Sequence, residues 1–251
     1  MKRSINSLIG FTIGATDGEI GKVTEFYFDD ATWTIRYLIV ETGSWLFGRK
    51  VLISPVSILT TNWDKNIFYA NLSMEQIKNS PDIDTKKPVS RQHELDMYAY
   101  YPWGSYWGDN LYAVILPPPI PEFDKIFGEE KFAINNTEIG DPHLRSTENV
   151  IGYNIKALDG EIGKAADFLI EDSNWKIDFM VVDAGSWLNE KKVLISPKWI
   201  KEIKWATEEV IVSTSIANVK KSPEYDNNQT LNENDETKLY KYYDGLISHS
   251  I

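Results

Sequence analysis

Alternating apolar and polar positions predict that this chain consists mainly of β-strands. In residues 33–40 every second side chain is apolar, beginning at Trp33, whereas the intervening positions become apolar only at Leu38 and Val40. One face of such a strand is covered along its whole length, and the other face only at one end. This pattern is typical of a strand in a small closed barrel.

Turn signals delimit the neighbouring strands. Strands over residues 9–15 and 19–30 flank the tight-turn sequence Thr16–Glu19, in which Gly18 is expected to take a positive φ. Three further predicted strands would complete a five- or six-stranded barrel: residues 51–53, 57–62 and 66–72.

The same pattern occurs twice, 142 residues apart. Residues 9–60 and 151–202 align without a gap, and 26 of the 52 pairs are identical. The identities include turn glycines, tryptophans and a final Ser-Pro. Such a repeat indicates two structural units of one fold. We therefore predict a mainly β protein with two small β-barrels in tandem.

A short helical tail is predicted after each barrel. Ser73 and Ser215 fit the N-cap position of a helix, and Ser-Pro sequences end both segments. Tyr98, Tyr100 and Tyr101 recur at the repeat offset, so the tail belongs to the duplicated unit. The Asn- and Glu-rich residues 225–237 are predicted to form a loop.

These patterns divide the chain into three parts. The first barrel with its tail takes residues 1–101, and the second takes residues 146–251. Residues 102–145 form a linker between them, in which Pro117–Pro121 is expected to be a stiff, extended spacer.

Four motifs, in the same order in both copies, carry a resemblance to a known family. They are Gly18–Lys22, the Trp-centred third strand, Gly43–Leu46 and Lys50–Pro55. In these motifs the chain resembles the PRC-barrel domain, over about residues 7–72 and 149–214. Lys78–Asp82, Ser90–Glu94 and Asp141–Ser146 are similar to segments of bacterial proteins with two tandem PRC-barrels. The resemblance implies two small SH3-like barrels that serve as assembly modules, and it brings no catalytic residues.

Composition excludes several classes of protein. The chain has no cysteine, which excludes disulfides, thiolate metal sites and cysteine nucleophiles. Its net charge is −11 without a basic stripe, so we expect no binding to nucleic acid or anionic lipid. The longest apolar run, Leu111–Leu116, cannot cross a bilayer, and Met1–Asn6 lacks the features of a signal peptide. We expect a soluble, cytoplasmic protein.

No catalytic or cofactor motif emerges from the sequence. Gly14–Lys22 superficially suggests a phosphate-binding loop, but its glycine and hydroxyl spacing is wrong and no helix pattern follows. His93, His143 and His249 stand in unrelated contexts and do not recur at the repeat offset. We predict that the protein is not an enzyme and binds no cofactor.

Acidic residues near the turns are the remaining candidates for a cation site. Asp17 and Glu19 are interpreted as ordinary hairpin residues, because a calcium site needs six or more oxygen ligands. The acidic pairs Asp29-Asp30 and Glu171-Asp172 are interpreted as solvated turn residues. We predict no metal site.

Aromatic residues are numerous, with nine tryptophans and thirteen tyrosines. Trp33 and Trp175 fall on the apolar face of a strand and are predicted to be core residues. Trp45 and Trp187 follow a Gly-Ser sequence between strands. There a tryptophan either plugs the barrel mouth or anchors a partner, and the plug is favoured.

Other loop and linker residues are candidates for binding a partner or ligand. Phe47 and Arg49 belong to a loop that is apolar in the first copy and becomes polar at Asn189–Lys191 in the second. Trp103 and Trp107, in the linker, either pack between the barrels or bind a partner. The two copies are therefore expected to meet different neighbours.

Two functions follow from these observations. The first is a non-enzymatic scaffold in which the barrels pack as a pseudo-twofold pair and bind an unknown protein partner. Self-association into a homodimer is a further expectation. The alternative is a small-ligand sensor or enzyme, with an aromatic cleft between the barrels built from Trp45, Trp187 and the linker.

Overall fold

The computed structural model describes residues 1–81, 94, 96–97, 100–101, 143–185, 191–226 and 231–247. The chain divides into two compact units, residues 1–78 with 143–251 and residues 79–142. Both copies of the repeat lie in the first unit. In the second unit, Glu94, Met97 and Tyr101 are buried. The predicted boundaries at residues 101 and 145 stay a prediction.

The first copy contains seven strands and two short helices among its described residues. They are β1 (Lys2–Ser4), α1 (Ile5–Leu8), β2 (Thr12–Gly14), β3 (Glu19–Asp29), β4 (Thr34–Thr42), β5 (Lys50–Ile53), β6 (Ile58–Asn62), β7 (Ile67–Ala70) and α2 (Met74–Lys78). Short 3₁₀ turns at Ser44–Leu46 and Pro55–Ser57 precede β5 and β6.

The second copy repeats this order at the same offset. Its elements are β8 (Leu144–Ser146), α3 (Thr147–Val150), β9 (Asn154–Ala157), β10 (Gly160–Glu171), β11 (Lys176–Asp183), β12 (Lys192–Ile195), β13 (Ile200–Lys204), β14 (Glu209–Val212), α4 (Ile216–Lys221) and α5 (Glu233–Ile247). 3₁₀ turns lie at Pro197–Trp199 and Trp205–Thr207. The mainly β fold is confirmed. The prediction of a loop up to residue 237 is wrong, because α5 already begins at Glu233.

The strands of both copies form one mixed sheet. Its main path is β13-β14-β9-β10-β11-β4-β3-β2-β7-β6, with β1 beside β10, β12 beside β11, β5 beside β4 and β8 beside β3. The pairs β2–β7 and β9–β14 are parallel, and the remaining pairs are antiparallel. The copies join where Thr34 of β4 pairs with Lys176 of β11. Two backbone bonds flank this joint, from Ile35 N to Trp175 O (2.9 Å) and from Ile177 N to Trp33 O (2.7 Å).

The burial of β4 and β11 follows the predicted alternation. Ile35, Tyr37 and Ile39 are buried on one face, and the opposite face is buried only from Leu38 onward. Trp33 is buried as predicted, but it lies in the turn before β4 and has a left-handed backbone (φ 55°). A non-glycine residue seldom adopts this conformation, which here directs the Trp33 carbonyl to the second copy.

Each copy donates its first strand and helix to the other copy. β1 pairs with β10, so that Lys2 lies opposite Glu171 and Ser4 opposite Leu169. β8 pairs with β3 in the same register, with Leu144 opposite Asp29. We call residues 2–8 and 144–150 the exchanged segments. Their apolar residues, Ile5, Leu8 and Val150 among them, are almost completely buried.

Two glycines of the repeated turn motif serve different purposes. Gly18 does not have the predicted positive φ, whereas its counterpart Gly160 does (φ 153°). Gly21 and Gly163 are required by close packing, because a Cβ there would overlap the backbone carbonyl of Glu41 or Asp183 in the neighbouring strand. The motif therefore reflects the approach of two strands as much as the turn.

Helix α5 covers one face of the second copy. The ring centre of Tyr243 lies 4.2 Å from that of Trp199, and Tyr240 lies 5.5 Å from Phe179. Tyr240 and Tyr243 both contact the ring of Trp199. The equivalent position in the first copy is Ser57. Thus the helical tail of the second copy packs against strands and turns of that same copy.

Candidate functional site

Three of the predicted binding residues, Trp45, Phe47 and Arg49, lie on one loop, residues 43–49, between β4 and β5. The Gly43 carbonyl accepts hydrogen bonds from Leu46 N (3.2 Å) and Gly48 N (3.3 Å). Thr42 Oγ1 donates to the Arg49 carbonyl at 2.8 Å. These internal bonds fix the loop in one shape, so side chains that it displays are preorganised.

Trp45 is attached to the body of the first copy. Its side chain is half-buried, and its Nε1 donates to the Ile20 carbonyl at 2.8 Å. A tryptophan whose N–H group is satisfied internally fixes the loop to β3. This geometry favours the plug over the anchor for Trp45.

Phe47 is the most exposed large apolar residue among those described, with 96% of its surface accessible. Its backbone is left-handed (φ 56°), as is that of Gly48 (φ 70°). A phenylalanine ring that is almost wholly exposed gains little stabilisation from burial. Its ring projects from a fixed loop, as an anchor for another molecule would.

Arg49 connects the loop to the helical tail. Its Nη1 donates to the carbonyl of Lys78, the last residue of α2, at 3.0 Å. The counterpart Lys191 donates to the carbonyls of Lys220 (3.3 Å) and Ser222 at the end of α4. Burial lowers the pKa of Lys191 below its ordinary value. A cation at a helix C-terminus satisfies free carbonyl groups, so this repeated contact is structural.

The other candidates, Trp187, Trp103 and Trp107, lie outside the described residues, as does Asn189, the counterpart of Phe47. The aromatic cleft therefore stays a prediction. Where the junction between the copies is described, aromatic side chains fill it. Trp175 of the second copy has its ring centre 5.5 Å from that of Phe68 of the first, and Phe28 and Phe168 are 5.8 Å apart.

A pair of arginines that the sequence analysis missed binds the two copies together. Arg3 donates from Nε to Asp172 at 3.2 Å, and its guanidinium lies 3.9 Å from the ring centre of Trp63. Arg145 makes the equivalent contacts with Asp30 (2.8 Å) and Trp205 (4.0 Å). Each arginine therefore stacks on one copy and forms an ion pair with the other. The repeat offset relates all members of both sets and is the signal that could have identified them.

A buried carboxyl group, that of Asp167, and a half-buried one, that of Glu25, receive the exchanged segments. Ser4, the N-cap of α1, donates its hydroxyl hydrogen to Asp167, and Ser146, the N-cap of α3, donates to Glu25. Burial raises the pKa of both carboxyl groups, an effect that the serine hydrogen bonds oppose. The two contacts are equivalent by the repeat offset and serve docking of the segments.

The interpretation of the paired turn acids as solvated residues is wrong. Asp29 is buried and accepts backbone bonds from Ala31 (3.0 Å) and Thr32 (2.7 Å). The other three acids form ion pairs with the exchanged segments or the residue beside them, through the amino group of Met1, Lys2, Arg3 and Arg145. Asp30 is also hydrogen-bonded to His143 Nδ1 at 2.8 Å.

Glu171 and Lys2 show the electrostatic effect of this docking. Burial alone would raise the pKa of Glu171, but hydrogen bonds from the amino group of Met1 and from Lys2 outweigh it and lower the pKa to about 2. Lys2 Nζ also contacts Asp178 and Glu236 of the second copy, the latter at 3.3 Å. Burial acts to lower the pKa of Lys2, yet these carboxylates raise it above its ordinary value.

Asp17, considered above as a cation ligand, accepts a hydrogen bond at the start of a helix. Its Oδ1 accepts from Met74 N at the start of α2 (2.8 Å), and Asp159 accepts from Ile216 N at the start of α4 (2.8 Å). Among the residues that the structure describes, no group of three or more His, Asp or Glu side chains could hold a metal ion.

One pocket of about 210 Å³ lies between β12 and α5. It is lined by Leu194, Pro223–Asp226, Leu231, Asp235, Lys238 and Leu239. This volume is below the usual range for a small-molecule site, whereas a more open pocket of about 580 Å³ lies beside Glu161–Lys164 and Asp183–Gly185. Of the predicted binding residues that the structure describes, Trp45, Phe47 and Arg49, none lines the pocket between β12 and α5.

Comparisons with known proteins identify the first copy. Within the described part of the chain, no helix combines the length and apolar character that crossing a bilayer requires. No curated protein matches the chain. Residues 2–74 match the family model of the PRC-barrel domain. The matched segment runs from β1 to the first residue of α2, so this chain contains a PRC-barrel domain formed by its first copy.

Proposed function

We propose that the chain is a non-enzymatic protein-interaction scaffold built from two PRC-barrel domains. The second domain would cover about residues 144–216. Support comes from the 26 identities in 52 aligned pairs and from strands that recur in the same order at the same offset. In this proposal the exchanged segments hold the two domains together as a pseudo-twofold pair.

The main support for an interaction role is the exposure of Phe47 on a loop that is held together by its own hydrogen bonds. Aromatic residues are prominent among the side chains that dominate binding energy in protein interfaces. A rigid loop loses little conformational entropy on binding. Loop 43–49 therefore suits a protein partner with an apolar pocket for the Phe47 ring.

Support for a non-catalytic role comes from what the repeated polar residues do. Asp17 and Asp159 contact helix N-termini, Glu25 and Asp167 accept bonds from the exchanged segments, and Arg49 and Lys191 bind helix carbonyls. A catalytic group needs freedom to meet a substrate, whereas these side chains are used in folding.

Affinity capture from the native host tests the proposal. The wild-type chain, Phe47→Ala and Leu158→Ala would each serve as bait, with bound proteins quantified by mass spectrometry. Leu158 is a matched control, because it is also an exposed apolar residue (62%) but belongs to the second copy. We expect proteins that the wild type and Leu158→Ala retain and that Phe47→Ala loses. Identical capture by all three baits would overturn the role of Phe47.

A further inference from the structure

The two end strands of the sheet occupy equivalent places but differ in charge. The main path of the sheet ends at β6 in the first copy and at β13 in the second. β13 exposes Lys201, Glu202 and Lys204. The same positions of β6 hold Leu59, Thr60 and Asn62, and β6 has no charged residue.

Charges protect an end strand against pairing with another chain. Such a strand presents unpaired backbone N–H and C=O groups, and natural proteins commonly place lysine there to prevent association. The second copy carries these charges and the first lacks them, although both end strands contain an irregularity of the β-bulge kind. Because the fold is otherwise repeated, the second copy is an internal control for the first.

Exposed apolar side chains accompany the uncharged strand. Leu59 is 68% exposed, and Val56, in the 3₁₀ turn just before β6, is 69% exposed. Their counterparts are Lys201 and Lys198. Tyr69 of β7, the direct neighbour of Thr60, is 39% exposed. In the described part of the chain, no strand pairs with the outer edge of β6.

The charge pattern favours a second copy of this chain as the occupant. Two molecules of net charge −11 repel each other, so a self-interface needs a surface without like charges. An antiparallel pair related by a twofold axis places the central residue opposite itself. For β6 this residue is Thr60, and threonine pairs across strands are favourable. For β13 it would be Glu202, whose two carboxylates would repel.

We propose that β6 pairs antiparallel with β6 of a second copy of this chain, with Val56, Leu59 and Tyr69 packed along the joint. The interface uses residues other than the Phe47 loop and goes beyond the function proposed above. A five-residue strand and three side chains form a small interface, so the dimer is weak and reversible.

Sedimentation velocity of the full chain over a wide concentration range tests this. We expect the wild type to shift from monomer to dimer as its concentration rises. Val56→Lys with Leu59→Lys places the residues of the second copy in the first, and we expect this variant to stay monomeric. Leu158→Lys adds a lysine at another exposed apolar site, and this control should dimerise like the wild type. A monomeric wild type, or dimerisation that survives the lysine pair, would overturn the proposal.

A cross-linking experiment remains informative if the lysine variant fails to fold. Because the chain has no cysteine, Thr60→Cys can form only intermolecular disulfides. We expect Thr60→Cys to yield a covalent dimer under mild oxidation and Leu158→Cys to yield none. A dimeric Thr60→Cys chain without this link would contradict the antiparallel pairing. Since both experiments use purified protein, their failure is distinct from a failure of partner capture through Phe47.

Discussion

Arg145 donates a hydrogen bond to Asp30, a residue 115 positions earlier in the chain, at 2.8 Å. The same arginine lies 4.0 Å from the ring centre of Trp205 in its own copy. One side chain thus binds both copies at once, and Arg3 repeats the arrangement in the opposite direction. The pairing of the two copies rests on reciprocal contacts of this kind.

Replacing Arg145 should weaken this pairing. Arg145→Ala loses an ion pair and a cation–π contact, so we expect the free energy of unfolding to fall by about 1–2 kcal/mol. Arg145→Lys keeps the charge but not the planar stack and should give an intermediate value. Urea unfolding measures both, and an unchanged midpoint for Arg145→Ala would contradict this role.

The two capping serines should contribute equally. Ser4 and Ser146 each accept a backbone bond within their helix, at 3.2 and 3.1 Å, and donate to the buried Asp167 and the half-buried Glu25 respectively. Alanine at either position should cost about 1–2 kcal/mol, because a helix cap and a hydrogen-bond partner of a carboxyl group shielded from water are lost together. Ser44→Ala, at an exposed site, is the control for urea unfolding. Strongly unequal costs would argue against equivalent docking.

Gly21 and Gly163 should tolerate no side chain. Because a Cβ would overlap the carbonyl of the adjacent strand, Gly21→Ala or Gly163→Ala should cost more than about 3 kcal/mol or prevent folding. Gly245 lies in helix α5 with open space around it, so we expect that it can be replaced without a clash. Gly245→Ala should stabilise the protein by roughly 0.5–1 kcal/mol. Thermal melts of the variants would measure the contrast.

Substitutions of Trp45 and Phe47, which lie two residues apart, should have different effects. We expect Trp45→Ala to lower the stability of the fold and Phe47→Ala to leave it nearly unchanged. Trp45→Ala removes a half-buried ring and its bond to Ile20, so we expect a loss of about 2–3 kcal/mol. Phe47→Ala should change the free energy of unfolding by less than about 0.5 kcal/mol, because the ring is exposed. Calorimetry of both variants is the measurement. A large loss for Phe47→Ala would show that its ring is needed for folding.

The lowered pKa of Glu171 predicts that the stability of the protein depends on pH in the acidic range. Its pKa falls from 4.5 in the unfolded chain to about 2 in the folded protein. A lowered pKa means that its stabilisation is complete above pH 4.5 and is lost as the pH falls toward 2. The difference in melting temperature between the wild type and Glu171→Gln should therefore be largest near neutral pH and vanish near pH 2. A difference that stays constant with pH would exclude this ion-pair network as its source.

Local patterns were sufficient for the strands, because alternation and turn residues act between near neighbours. Residues 33–40 show this, as does the N-cap at Ser73, whose Oγ accepts from Gln76 N at 3.2 Å. The left-handed backbone of Trp33 could not be predicted from such local patterns. Its left-handed conformation accompanies a hydrogen bond that its carbonyl accepts from Ile177 N of the other copy, a partner remote in sequence.

Long-range pairing could not be predicted from the sequence for a physical reason. Residues 2–8 begin the first copy, yet both copies offer nearly the same edge to receive them, so the local pattern does not choose between the two. Asp30 illustrates the consequence. Beside its turn it looks like a solvated acid, because its partner Arg145 is remote in sequence. Phe47 and Arg49 were identified as candidates from the difference between the copies, and their distinct surroundings emerged only from the structure.

The exchanged segments also constrain how the molecule is made. When the first copy leaves the ribosome, the edge of β3 at Tyr27–Asp29 must wait for Leu144–Ser146, which has not yet been synthesised. Such contacts between distant positions slow folding. The first copy would thus pass through translation with an incomplete sheet, and its maturation would be coupled to the arrival of the second copy.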